Sequence, residues 1–228
     1  AQPLGGWPRS VGDRLSGPPA VGDLDLDGIP DLAVVTRRGL VWTFASNGVL
    51  RAVPYQLPGT PIGGPVLAEL DATGRLAIVV ATTDGKLHAI NADGNPIAGW
   101  PVTGPGPAIG GAFTFIAGDN FPRVGYLAQA GGAVIYFTYA ALDAANSYDP
   151  GVPLGPAMPV SGARKVTGLS DIDQLYLAGR GGQLWRFDPD VIGMGGDPIA
   201  LAPVLGDSIV DTPGLVDLTA DLIPELAV

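Results

Sequence analysis

The sequence predicts an all-β fold, a β-propeller of four-stranded antiparallel blades. Three observations carry that reading. Short apolar runs are punctuated by 35 glycines and 23 prolines in 228 residues, the pattern of many short strands joined by turns. The runs recur: aligning Leu32, Leu76, Tyr126, Leu175 and Leu226 gives a period of about 44 to 51 residues, the size of a propeller blade. Helical periodicity is nearly absent, and only Ala140 to Ala145 could form a short turn of helix.

The elements follow in order along one propeller spanning residues 1–228. Pro3-Leu4-Gly5-Gly6-Trp7-Pro8 reads as the tail of an earlier blade. The first repeat, 17–60, opens with an Asp-rich loop. It continues with a strand at Asp31–Val35, a turn at Arg37-Arg38-Gly39, a strand at Leu40–Ala45 and a turn at Ser46-Asn47-Gly48. The second, 63–103, places strands at Leu76–Thr82 and Lys86–Asn91 around Thr83-Asp84-Gly85, an Asp-Gly turn of the type that closes a tight hairpin. The third, 106–155, pairs Val124–Gln129 with Ala133–Thr138. The fourth, 160–205, pairs Gln174–Ala178 with Gln183–Asp188. The fifth, 211–228, stops at Glu225-Leu226-Ala227-Val228. Gly-Trp-Pro occurs at Gly6-Trp7-Pro8 and again at Gly99-Trp100-Pro101, about two periods apart. About four and a half repeats are visible. The expectation is a part of a larger propeller whose remaining blades, or a protein partner, cover the exposed strand edges.

The first repeat carries the strongest chemical signal. Asp23-Leu24-Asp25-Leu26-Asp27-Gly28-Ile29-Pro30-Asp31 sets four carboxylates at alternate positions around a glycine. Calcium takes six to eight oxygens from a flexible loop, and glycine permits the bend. Without a cation the carboxylates repel one another. The expected ligands are Asp23, Asp25, Asp27, the Ile29 carbonyl and Asp31. An EF-hand is excluded: Val34 stands where the bidentate Glu belongs, and a strand-like run follows.

Pro18 through Val35, followed by the glycine-centred hairpin, resembles the FG-GAP and VCBS-type repeats of bacterial secreted proteins, which are similar to the integrin alpha-subunit propeller. The resemblance implies a blade whose Asp loop joins its first two strands and binds calcium at the propeller rim. It also implies an extracellular, cell-surface or periplasmic protein serving adhesion, scaffolding or protein interaction. The literal Phe-Gly and Gly-Ala-Pro signatures are missing, so no integrin-like ligand surface is carried over.

The other loops are weaker. In the second repeat Glu69, Asp71, Thr73 and Gly74 match the first positions. Two residues then read as missing, with Arg75 where the loop should close, so no metal is expected. The third and fourth offer bare turns. In the fifth, Asp217, Thr219, Asp221 and Glu225 keep the spacing, but Leu222 replaces the glycine. These four form a second, weaker calcium candidate.

The remaining composition bounds function. A net charge of −10 speaks against nucleic acid and anionic membrane as partners. No run is long enough to span a membrane. Absence of cysteine excludes disulfides, thiolate metal sites and cysteine nucleophiles. The single histidine, His88, reads as a packed strand residue at a position for an aromatic. No usual nucleophile–base pair is available, so catalysis is not expected. Trp7, Trp42, Trp100 and Trp185 read as blade packing, with sugar stacking as the alternative. Arg37-Arg38 and Arg164-Lys165 read as solvated turn faces. Two other functions stay open: a carbohydrate-binding or lyase-like propeller, and a quinoprotein-type dehydrogenase echoed by Gln183-Leu184-Trp185-Arg186-Phe187-Asp188.

Overall fold

The computed structural model describes residues 5–71, 73–116 and 122–129, and beyond these the backbones of strands as far as Ala227. Four sheets have four strands each, and every pairing is antiparallel between chain neighbours. The first holds β1 (Ala20–Gly22), β2 (Asp31–Val35), β3 (Leu40–Phe44) and β4 (Tyr55–Gln56). The second holds β5 (Val66–Glu69), β6 (Leu76–Thr82), β7 (Lys86–Ile90) and β8 (Val102–Thr103). In the third, β9 (Phe113–Ile116) and β10 (Pro122–Gln129) precede β11 (Ala133–Thr138) and β12 (Asn146–Tyr148). The fourth runs β13 (Val160–Thr167), β14 (Ser170–Ala178), β15 (Leu184–Phe187) and β16 (Ile199–Leu201). A final pair joins β17 (Gly214–Val216) to β18 (Glu225–Ala227). The first strands of successive sheets, β1, β5, β9, β13 and β17, neighbour one another in chain order. That is radial stacking of blades. Ala140 to Ala145 lies outside the described residues.

Alternation explains the apolar runs. Side chains of a strand point to opposite faces, and a stacked blade buries both. Ile78 and Val80 of β6 pack with Ala33, Val35 and Val41 of the first blade. Ala77, Val79 and Ala81 of the same strand turn the other way, onto Ala112, Val124, Tyr126 and Ala128 of the third. Both faces are apolar, so the strand reads as a continuous run rather than an alternating one.

The first two blades repeat at one offset of 46 residues. Gly39 N–H donates to Thr36 O, and Gly85 N–H to Thr82 O. Gly48 N–H donates to Ala45 O, and Gly94 N–H to Asn91 O. Leu32 pairs with Phe44 as Ile78 pairs with Ile90. The counterpart of Leu32 is therefore Ile78, not Leu76, and the second Asp-type loop has lost no residues. Its closing position is Ala77, and Arg75 stands where the first blade has Ile29. The sequence alignment slipped by two because Leu76 is also apolar.

The blades approach closely where their first strands enter. A Cβ on Gly17 would lie 2.1 Å from Gly64 N, and one on Gly64 would lie 2.2 Å from Pro18 O. Backbone packs on backbone there, which only glycine allows. The two Gly-Trp-Pro segments share one conformation, with φ of 85° at Gly6 and at Gly99 and a cis Trp–Pro peptide in each.

Candidate functional site

The Asp loop joins β1 to β2, and its carboxylates first serve its own backbone. Asp23 accepts from Leu26 N–H at 2.7 Å and Asp27 N–H at 3.2 Å through one oxygen. Its other oxygen accepts from Gly28 N–H at 2.8 Å. Asp25 Oδ1 accepts from Asp27 N–H at 3.3 Å, and Asp27 Oδ1 from Ile29 N–H at 2.8 Å. The curl needs left-handed backbone twice, φ 82° at Gly28 and φ 67° at Leu26. The second is uncommon for a residue with a side chain. The result gathers carboxylate oxygens of Asp23, Asp25 and Asp27 within 4.8 Å of one another.

Asp31 takes a different part. It is buried, at 3% exposure. Its Oδ2 accepts from Leu24 N–H at 3.1 Å, and its Oδ1 from Arg51 Nη1 at 2.7 Å. Arg51 Nη2 reaches Asp25 Oδ2. One guanidinium thus spans two of the four expected carboxylates, a charge-assisted arrangement suited to arginine. The Arg51 hydrogen bond holds the Asp25 carboxyl below its ordinary range, opposed by desolvation and aided by the Arg51 charge. The same bond raises Arg51. The structure therefore brings together Asp23, Asp25 and Asp27, and ties Asp31 to Arg51. Ile29 is exposed at the loop's edge. Sequence reasoning missed Arg51. It lies 20 residues from Asp31, and only the hairpin geometry carries it back to the loop end.

The second loop keeps the scaffold with less charge. Gly74 N–H donates to Glu69 at 2.7 Å, and Thr73 N–H to Asp71 at 3.2 Å. Those bonds match Gly28 to Asp23 and Asp27 to Asp25. Asp217, Thr219 and Asp221 lie outside the described residues, as does the side chain of Glu225.

His88 occupies the position of Trp42 in the preceding blade, is 3% exposed, and sets Nε2 3.2 Å from Thr82 Oγ1. Burial lowers its pKa, so it is neutral at physiological pH. Trp7 donates its indole N–H to Ser46 O at 2.8 Å and tilts against Phe44, on which Trp42 also stacks. Trp100 is buried between blades. The Trp185 side chain lies outside the described residues. Arg37 and Arg38 are exposed in their turn. Arg164 and Lys165 lie within β13 rather than in a turn.

Consecutive four-stranded antiparallel meanders, whose first strands neighbour one another in chain order, define a β-propeller. Solved propellers confirm the class. Over 91% of its length the chain matches the crystal structure of BamB from Moraxella catarrhalis, with a TM-score of 0.58 and 16% identity. BBS1N in complex with ARL6DN matches over 86%, with a TM-score of 0.57 and 16% identity in lead-soaked crystals. The mercury-soaked crystals give 0.53 and 17%. The chain spans 57% of that BamB chain and 54% or 55% of the BBS1N chains. No protein-family model matches the sequence, and no curated protein does. Among the described residues, no helix is long and apolar enough to cross a membrane.

Proposed function

We propose that this chain is a calcium-stiffened interaction module of an exported protein, which displays loops on a rigid propeller and does no chemistry. The observation that carries the reading is the convergence of Asp23, Asp25 and Asp27 on one loop end. All three donors are hard oxygens, the set a calcium ion takes. Each carboxylate oxygen accepts more than one partner, so the backbone hydrogen bonds leave coordination capacity. Asp23, Asp25 and Asp27 would hold the ion together with the Ile29 carbonyl, and Asp31 would support the loop through Arg51. The millimolar calcium outside cells suits such a loop. Leu26, Ile29, Val49, Leu50 and Val53 are exposed. These belong to the β1–β2 and β3–β4 connections, which share one end of the blade. Exposed apolar side chains on these connections suit a protein partner. BBS1N, one of the propellers of similar fold, is known in complex with ARL6DN.

The enzymatic and sugar-binding readings have less support. Thr82, Asp84 and His88 form a hydrogen-bonded group, but Thr82 and His88 are sealed from solvent. Trp7, Trp42 and Trp100 are engaged in packing rather than offered as stacking platforms.

Calcium titration of the chain by calorimetry tests the proposal. One binding event is expected, abolished by Asp27→Ala. Asp27 suits the test because its side chain bonds only Ile29 N–H among the described residues, so the Arg51 clamp survives. No heat of binding, together with no effect of chelator on melting, would overturn it.

A further inference from the structure

The second blade holds a cavity of about 340 Å³ at the same blade end as the Asp loop, lined by Leu70, Asp71, Arg75, Asn91, Pro96 and Ile97 among others. The first blade shows what such a space accommodates. Arg51 N–H donates to Thr43 O as Ile97 N–H donates to Ala89 O, each at 2.9 Å. The two side chains therefore leave equivalent backbone positions. Asp71 is the counterpart of Asp25, and its Oδ1 is held by the matching backbone N–H. In the first blade the other oxygen of that carboxylate meets the Arg51 guanidinium. In the second it has no partner among the described residues, since both bonds to Asp71 fall on Oδ1. Ile97 replaces Arg51 and Ala77 replaces Asp31, so the cavity is lined by two apolar side chains where the first blade carries its ion pair.

We propose that the cavity is a binding site for the cationic head of a partner protein's side chain, arginine above all, inserted where the first blade supplies its own. The lining combines the apolar Leu70, Leu76, Pro96 and Ile97 with Asn91 and the Asp71 carboxylate, and a few polar groups set among apolar ones are what fix a ligand's orientation. A guanidinium gains a charge-assisted bond there that a neutral group cannot make. Arg75 also lines the cavity, is exposed, and forms no ion pair among the described residues. Its charge opposes an entering cation, so its removal strengthens binding. The site is independent of calcium in the first loop.

The test is a titration of the isotope-labelled chain, in chelator, with Nα-acetyl-arginine amide, followed by amide NMR shifts. The uncharged isostere Nα-acetyl-citrulline amide is the control. Saturable shifts are expected at Asp71, Thr73, Gly74, Asn91 and Ile97. None is expected at Asp23 to Asp31, where Arg51 already sits. Asp71→Asn should weaken binding about tenfold or more, Arg75→Ala should tighten it, and Ile97→Arg should abolish it by filling the space. Should Ile97→Arg fail to fold, the other two variants decide. Equal binding of the citrulline probe, indifference to Asp71→Asn, or no saturable shift at all would overturn the proposal.

Discussion

Asp31 is a buried charge held by Arg51 and by one backbone N–H. Removing one partner of such a pair leaves the other uncompensated, while replacing both with apolar groups is often harmless. Arg51→Met should therefore cost about 3 kcal/mol in urea unfolding, the low end of the range because Arg51 keeps some solvent contact. Arg51→Met combined with Asp31→Leu should recover most of it. The pH dependence has a definite sign. The folded pKa of Asp25 is depressed, first by the Arg51 hydrogen bond. Its contribution is thus present above the unfolded value and lost as pH falls through the folded one. Unfolding measured below about pH 4 should show a shallower acid limb in Arg51→Met than in the parent chain. The Asp residues of this loop were legible because their spacing is local. Arg51 was not, since no local pattern marks an arginine in a turn as the partner of a loop in the preceding hairpin.

Strand β6 faces two neighbouring blades at once. Ile78 is fully buried, so Ile78→Ala should cost about 2–5 kcal/mol. Val53, at 85% exposure, should tolerate alanine within about 0.5 kcal/mol. Chemical denaturation of the pair compares them directly. Tyr126 ties two blades, donating to Gly85 O and lying 2.9 Å from Gly106 O as well. Gly85 itself has φ of 81°, and a Cβ there would lie 2.3 Å from Gly106 O. Gly85→Ala should accordingly destabilise more than Tyr126→Phe, which forfeits about 1 kcal/mol for the hydrogen bond. Strands Asp31–Val35, Leu76–Thr82 and Ala133–Thr138 fall where apolar runs between glycine turns place them. Strand β14 begins at Ser170, ahead of the expected Gln174, because Asp171 and Asp173 disguise it as a turn. The one-face-per-neighbour division of β6 was hidden, since two apolar faces look alike in sequence.

For the whole molecule, the proposed calcium site makes stability depend on metal concentration. An ion bound only by the native state at a hundredfold excess over its Kd adds about 2.7 kcal/mol. The melting temperature in calcium should exceed that in chelator by several degrees, and Asp27→Ala should erase the difference. The net charge of −10 predicts that moderate salt also raises melting, in both the parent and the variant, by screening self-repulsion. The fold was legible as a propeller because repetition survives divergence. The finer correspondence between loops was not, because one misplaced leucine shifts a whole comparison. The first two units keep strand phase at one offset of 46 residues and meet at a single glycine crossing. A gene encoding them tolerates recombination between equivalent codons without disturbing strand phase. Duplication can then supply a spare loop scaffold, in which two substituted side chains separate the internal strut of one copy from its absence in the next.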